Sequence, residues 1–502
     1  MNLERLRARA QSFTQDVARE SYLAYSGLKS EAALQTIYER YADILSDDAL
    51  AECIQRFRDA PRDSEDARAA RMMLEWQVES RVGRQLAALD EREVALEHAS
   101  VIRVADGRVI PYQRVGIDIA NSGDVADRRA IDEARVRTVE ESFAPLRLER
   151  LQRERDAVES LGIAAGYNST FEALSGISLT ALAAECETFL HDTEAMWNSV
   201  LDERLRAFGV PRGEATRADS LALFRLREFD DAFPESAMES VIRRNCAEMG
   251  IDANATGRIT FDIGDRPGKR PRAFCSPVRI PDEVYLVLRP HGGQSDYGTF
   301  LHELGHALHF GNTRADYPFE YRWLGDNSVT ESYAMLFDHR MQQRAWLQRY
   351  TGLNRNRAGA FLRLAGFEEL HFVRRYCAKL LYEMQVYSGA VDWKALPDIY
   401  VEILAAATGF QYQPADAFID LDSRFYSTRY LRAWQLQALL DEGLVDRFDE
   451  DWWRNPATGP WIIAELFAEG QRESATEVGR RAAGARISFA PLTRKIESLL
   501  ES

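Results

Sequence analysis

Apolar residues recur at intervals of three and four along most of the chain, with charged residues between them. Leu34, Ile37, Tyr38, Tyr41, Ile44 and Leu45 make one such stripe, and Trp197, Val200, Leu201, Leu205 and Phe208 make another. This spacing gathers the apolar side chains on one face of an α-helix. The second stripe stops at Gly209, with Pro211 beyond it, which is how a helix is expected to end. The stripes are narrow and backed by charge, so the predicted helices pack against one another by one side only. Pro145 interrupts the Arg/Glu-rich stretch from Asp132 to Arg155, and a bend or break is expected there. The charges of that stretch are read as a solvated helix face.

The pattern changes between about residues 252 and 293. DANATGRITFDIGDRPGKRP is rich in Gly, Pro and Asp, and two β-type runs stand out, Ile259 to Ile263 and Val284 to Leu288. They predict strands of one small sheet, expected to be antiparallel, and no other β region is expected. Helical periodicity then resumes and continues to the C-terminus. The expected class is mainly α, with a domain boundary placed near residue 210.

Composition narrows the function. The 502 residues are 46% hydrophobic and 28% charged, with a formal net charge of −16. An acidic balance argues against a general nucleic-acid binder, which needs a basic face for phosphates. No run approaches the roughly 18 apolar residues of a membrane-spanning helix. The opening MNLERLRARAQSF carries charge throughout and does not read as a secretory signal. Cys53, Cys186, Cys246, Cys275 and Cys377 are scattered and never form a C-x-x-C pair, which fits a reducing, cytoplasmic setting.

Candidate chemistry lies directly after the predicted sheet, in SDYGTFLHELGHALHFGN. It contains HELGH: His302, Glu303, Leu304, Gly305 and His306. On a helix, positions four apart share a face, so both imidazoles can reach one divalent ion such as zinc. Glu303 falls at the edge of that face, where it is better placed to handle the proton of a water molecule than to ligate. Tyr297, Phe300, Leu301, Leu304, Ala307 and Leu308 supply an apolar side for burial. Asp296 or Ser295 is expected to cap the N-terminus.

A catalytic zinc needs a third protein ligand and an open position. Glu331, in the helix-like segment NSVTESYAMLFDHR, is the expected third ligand. The same glutamate could instead close a capping box with Ser328. Glu320, in the aromatic segment YPFEYRW, is a further candidate. His309 follows His306 by three, but three histidines at this spacing cannot converge on one tetrahedral ion, so His309 is assigned to packing or support. His339 is a candidate supporting residue, His291 with Gly292 and Gly293 makes a turn that could border the cleft, and His98, His191 and His371 are assigned no part.

GTFLHELGHALHF, with AFC upstream and SVTES downstream, resembles the thimet oligopeptidase and oligopeptidase F family of zinc metallopeptidases. The resemblance runs from about Leu161 to the C-terminus. It implies zinc, one ion per chain, held by His302, His306 and Glu331, with Glu303 as general base. It implies a two-lobed helical metallopeptidase with a deep central channel and a small β-sheet next to the HELGH helix. On this basis residues 1–210 are expected to form an N-terminal helical lobe and 211–502 the catalytic domain. The family's late aromatic cluster corresponds to DSRFYSTRYLRAW, so Tyr426 and Tyr430 are implied to face substrate and stabilise the oxyanion. The family's histidine just upstream is missing, with Asp422 or Ser423 near its place, and a third aromatic position falls on Ala433 or Trp434.

The expected activity is hydrolysis of short unstructured peptides by metal-activated water, with a peptide adding to an exposed strand edge at Val284 to Leu288. Peptides are the expected partners, with no nucleic acid and no membrane; the sequence sets no oligomeric state. Cobalt or manganese would suit similar ligands. A carboxypeptidase of the carboxypeptidase Taq type, which also carries HExGH on a helical chain of similar length, is the nearest rival. A catalytically silent peptide-binding protein is the rival of another class, against which the intact Glu303 speaks.

Overall fold

The structure is a computed structural model that describes residues 3–30 and 32–502. It is mainly α, as the periodicity predicts. The helices used below are α1 (Leu3–Tyr25), α2 (Val125–Thr138), α3 (Ala144–Ser160), α4 (Glu194–Phe208), α5 (Gln294–Asn312), α6 (Asn327–Asp338), α7 (Arg355–Tyr387), α8 (Tyr426–Phe448) and α9 (Ala490–Leu500). Between α2 and α3 the chain makes one wide π-type turn, Val139–Phe143, and Pro145 sits in the first turn of α3, where its missing N–H leaves nothing unpaired. α4 ends at Gly209 in the left-handed conformation, φ 76°. The stripe at residues 34–45 breaks at Tyr41 into a short helix and a 3₁₀ turn, with Ile37, Tyr41, Ile44 and Leu45 buried.

Two β expectations are corrected. A hairpin absent from the sequence reading pairs β1 (Val101–Arg103) with β2 (Val109–Pro111). Its strands are too short to show alternation, although Asp106-Gly107 between VIRV and RVIP is a hairpin signal. The second sheet joins β3 (Ile259–Ile263), β4 (Phe274–Arg279) and β5 (Glu283–Leu288) in the order β3-β5-β4. β3 and β5 are parallel, not antiparallel, because the chain lays down β4 first and turns back, bringing β5 in between. β5 is therefore the central strand and cannot accept a peptide at its edge. β4, which carries Pro277, is an edge strand, where a proline is tolerated.

Packing divides the chain into two units, and the division differs from the expected cut near 210. Residues 1–77, 228–363 and 429–502 make the first unit; 78–227 and 364–428 make the second. Each unit collects sequence-distant segments, so no single boundary in the chain marks it. In the first, the sheet lies between α1 and α5. Tyr22 of α1 stacks on Tyr285 at 3.9 Å, and Phe300 of α5 meets Phe261 edge-on at 5.3 Å. In the second, Ile102 and Ile110 of the hairpin are buried with Val115, Ile119 and Ile131. Among the described residues no single helix is long and apolar enough to cross a membrane. All five cysteines are free.

Candidate metal centre

α5 starts after Gly293, whose φ of 90° suits glycine, and whose Cβ, if present, would meet Asp230 Oδ1 at 2.5 Å. Asp230 accepts from the Gln294 N–H at 3.2 Å and so caps the helix from outside. The expected cap, Asp296, lies in the first turn instead and accepts from the backbone N–H groups of His291 and Gly292. It thereby fixes the turn in front of the helix, while the His291 side chain is exposed. Tyr297, Phe300, Leu301, Leu304, Ala307 and Leu308 are buried. That leaves His302 and His306 on the half-buried side, ring centroids 5.0 Å apart and nearly perpendicular.

α6 crosses this helix at Gly305. A Cβ there would lie 2.6 Å from Ala334 Cα and 2.6 Å from the Tyr333 carbonyl oxygen. Only a glycine lets the two backbones meet this closely, which brings Glu331 up to the histidines. The N-cap of α6 is Asp326, which accepts from the Ser328 N–H at 3.1 Å, so Glu331 does not close a capping box with Ser328. Burial would raise the Asp326 carboxyl, but Arg432 and Arg429 overcome it and hold it well below the usual range.

Glu331 points at the imidazoles. Its Oε2 is 3.5 Å from His302 Nε2 and 3.6 Å from His306 Nε2, longer than good hydrogen bonds. The ligand atoms of His302, His306 and Glu331 all lie within 4.8 Å of one another. Burial would raise Glu331, but His306 and His302 hold it well below the carboxylate range. Burial would lower His302, but Asp338 and Glu331 raise it well above an ordinary histidine. Two imidazole nitrogens and a carboxylate oxygen converging on one point are a donor set that fits zinc.

The sequence reading missed the groups that aim these ligands. Asp338 Oδ2 is 2.8 Å from His302 Nδ1, and Thr330 Oγ1 is 2.9 Å from His306 Nδ1. Each leaves Nε2 facing the cluster, the usual way a ligating histidine is fixed. Asp338 was within reach of sequence reasoning: it follows Glu331 by seven residues, two turns along the same helix face.

Glu303 is half-buried beside β4. Burial, with the Glu303 charge added, pushes the Cys275 thiol of that strand well up. Glu320 is fully buried, but its carboxylate is taken by Arg7, with Nε at 3.0 Å from Oε1 and 3.1 Å from Oε2. His309 is packed among Phe310, Tyr333 and Phe467, and burial pushes it down to about 3, so it serves as a neutral ring. His371 is similarly buried against Trp197 and Phe224. His339 begins the turn after α6, its Nε2 3.7 Å from Asp338 Oδ1.

Tyr430 is half-buried on α8, its ring 6.4 Å from Trp434. One turn on, the Ala433 carbonyl accepts from Ser332 Oγ at 3.2 Å. Ser332, next to Glu331 on α6, is thus held against α8 one turn beyond Tyr430. Tyr426 is the first residue of α8 and falls in the second unit.

No family model matches the chain, and no curated protein matches it. A solved structure, "BsuCP Crystal Structure", matches with a TM-score of 0.62 and 13% identity, over 99% of this chain and 97% of its own. The two chains share a fold across their whole length. The resemblance to thimet oligopeptidase and oligopeptidase F rests on the motif residues alone.

Proposed function

We propose that the chain is a zinc-dependent metallopeptidase that hydrolyses peptide bonds of short unstructured oligopeptides. The observation that carries this is the convergence of His302 Nε2, His306 Nε2 and Glu331 Oε2, with Glu303 beside them on the same helix. His302, His306 and Glu331 would hold the ion. Bound zinc supplies a Lewis acid that lowers the pKa of water and polarises a carbonyl.

The chain's own groups do the rest. Glu303 takes the proton as water attacks the carbonyl carbon, and delivers it to the amine nitrogen as the C–N bond breaks. The Tyr430 hydroxyl donates a hydrogen bond to the carbonyl oxygen as negative charge develops there. Tyr426, one turn earlier, is the second candidate for that role. The peptide adds to β4, the edge strand beside Glu303, so that backbone rather than side-chain identity is read.

The test is hydrolysis of a quenched fluorescent peptide by the purified protein, with and without a chelator. Glu303→Gln is expected to lose at least about a hundredfold in rate while keeping its zinc. Activity that survives in that variant, or that ignores the chelator, would remove the mechanism. Mass spectrometry of the fragments reads the cleavage mode. Internal cuts identify an oligopeptidase, and ladders from the C-terminus identify a carboxypeptidase instead. Zinc binding without any cleavage would leave a binding protein.

A further inference from the structure

Arg429 of α8, buried in the first unit, meets Asp326 at 2.8 Å and Glu75 at 3.0 Å. Arg340 is more deeply buried, at 1% exposure, on the 3₁₀ turn His339–Gln342 that follows α6. Its Nη1 donates to Asn245 Oδ1 at 2.9 Å. Its Nε and Nη2 are buried and meet no hydrogen-bond partner among the described residues, and no carboxylate acts on its charge. Those two nitrogens carry the parallel N–H donors along one edge of the guanidinium, a fork that an anion can take with two hydrogen bonds.

The groups that face Arg340 are neutral. The Phe337 ring centre lies 3.7 Å from the guanidinium carbon and that of Trp452 5.6 Å. Ring faces attract a cation but accept nothing from donors in its plane. Burial pushes the Cys246 thiol up to about 11 against the pull of Arg340, and pushes the Tyr350 hydroxyl up to about 12, so neither is charged at pH 7. Asn245 is fully engaged. Its Oδ1 also accepts from Trp346 Nε1 at 3.0 Å, and its amide nitrogen donates to the Trp453 carbonyl at 2.7 Å and the Tyr350 hydroxyl at 3.3 Å. Burial draws Arg340 down only to about 10, so it is a cation at neutral pH.

A buried charge left uncompensated is strongly destabilising. A monatomic anion accepts both N–H groups at one point and asks for no donors elsewhere. Sulfate or phosphate would bring further oxygens, each needing a donor that Asn245 has already spent. We propose that the Nε–Nη2 edge of Arg340 is a binding site for a small halide, with chloride as the natural ligand, and that this ion is the counter-charge of the turn after α6. The site uses none of the three candidate metal ligands and does not rest on the metal-centre reading.

Crystals soaked in sodium bromide should show an anomalous peak at that edge of Arg340. Melting in sodium chloride against sodium gluconate at equal ionic strength is the solution measurement. Chloride at a hundred times its dissociation constant lowers the unfolding equilibrium constant about a hundredfold, so the parent should melt higher in chloride. Arg340→Met should melt alike in both salts. If that variant does not fold, the bromide peak and the response of the parent still decide. A water molecule on the fork with no bromide overturns the proposal. A bromide peak without a melting response marks binding at crystal concentration only and overturns it too, as does a chloride response that persists in folded Arg340→Met.

Discussion

Two of the buried polar clusters among the described residues, one from each unit, are built on opposite plans. In the second unit cations and anions alternate. Arg135 meets Asp416 at 2.6 and 2.9 Å, Arg217 reaches the same carboxylate at 3.4 Å, Lys379 donates to Asp422 at 2.8 Å, and Tyr400 to Asp420 at 2.8 Å, where Arg375 also pairs. Every charge there has an opposite charge or a hydrogen bond at contact distance. In the first unit the cluster of His302, His306 and Glu331 gathers three groups of the type that gives electrons to a metal, at separations too long for strong hydrogen bonds. The hydrogen bonds go instead to the outer nitrogens of the rings. The first arrangement is complete in itself and holds a fold together. The second gathers donors of the kind that can hold a divalent cation.

The largest expected effect breaks the comparison at its root. His306→Ala or His302→Ala should abolish stoichiometric zinc after dialysis, and Glu331→Ala should weaken its retention, all read by metal analysis. The folded state should persist, because the buried face of α5 is untouched. Full zinc occupancy in Glu331→Ala would move the third ligand elsewhere.

Asp420→Asn is the mirror experiment. It strips the carboxylate from a pair that outweighs a strong burial effect: burial would raise Asp420, yet Arg375, Lys379 and Arg217 hold it well below the usual range. Leaving a buried guanidinium without its partner costs about 3–5 kcal/mol. Denaturant unfolding should register that loss with zinc content unchanged in the protein that remains folded. A zinc deficit in the folded fraction would mean that the two clusters are not independent.

Gly305→Ala gives a smaller effect, and one shared between stability and metal. The added methyl has backbone on the far side, not a flexible side chain, so α5 and α6 must part. Overpacking of this kind costs about 1–3 kcal/mol. Zinc affinity should fall with it, since Glu331 and the two histidines ride on different helices. Unchanged affinity in a destabilised Gly305→Ala protein would show that the cluster tolerates a shift of its own scaffold.

The site was more legible in the sequence than the fold around it. Candidate ligands stand out because zinc needs a few residue types at spacings a helix dictates, and HELGH with Glu331 downstream offers them, drawn together in the fold. The supporting groups are ordinary residues whose role depends on which face they share. His339 stands out in the sequence because it is a histidine, but the carboxylate that touches His302 is its neighbour Asp338. The sheet misled for a different reason. β3 and β5 are both visible, but their relative direction depends on β4, and Pro277 disguises that strand. The division into units was not legible at all, since each unit is assembled from segments separated by long stretches of the other.

The smallest effect is a difference in pH response. In the zinc-free protein the His302 imidazolium gains from Asp338 and Glu331, so its pKa is raised above the unfolded value. A raised histidine contributes stability that is complete below about pH 6.5 and is lost as pH climbs through the folded value. The stability of the zinc-free protein should therefore decline from neutral toward alkaline pH, by at most about 1.4 kcal/mol per pH unit for one group, and its melting temperature should fall with it. Zinc takes the place of that proton, so the loaded protein should lack this decline, and zinc uptake at pH 7 should release about one proton, fewer as the pH rises. Calorimetry in buffers of different ionisation enthalpy counts it. Glu331 acts in the opposite direction: its lowered pKa gives stability that is present above about pH 4.3 and is lost only as acid carries the pH through its depressed folded value. Zinc uptake that releases no proton at pH 7 would mean that His302 is already neutral there, and that the contrast between a cation-seeking cluster and a self-satisfied one is weaker than its geometry implies.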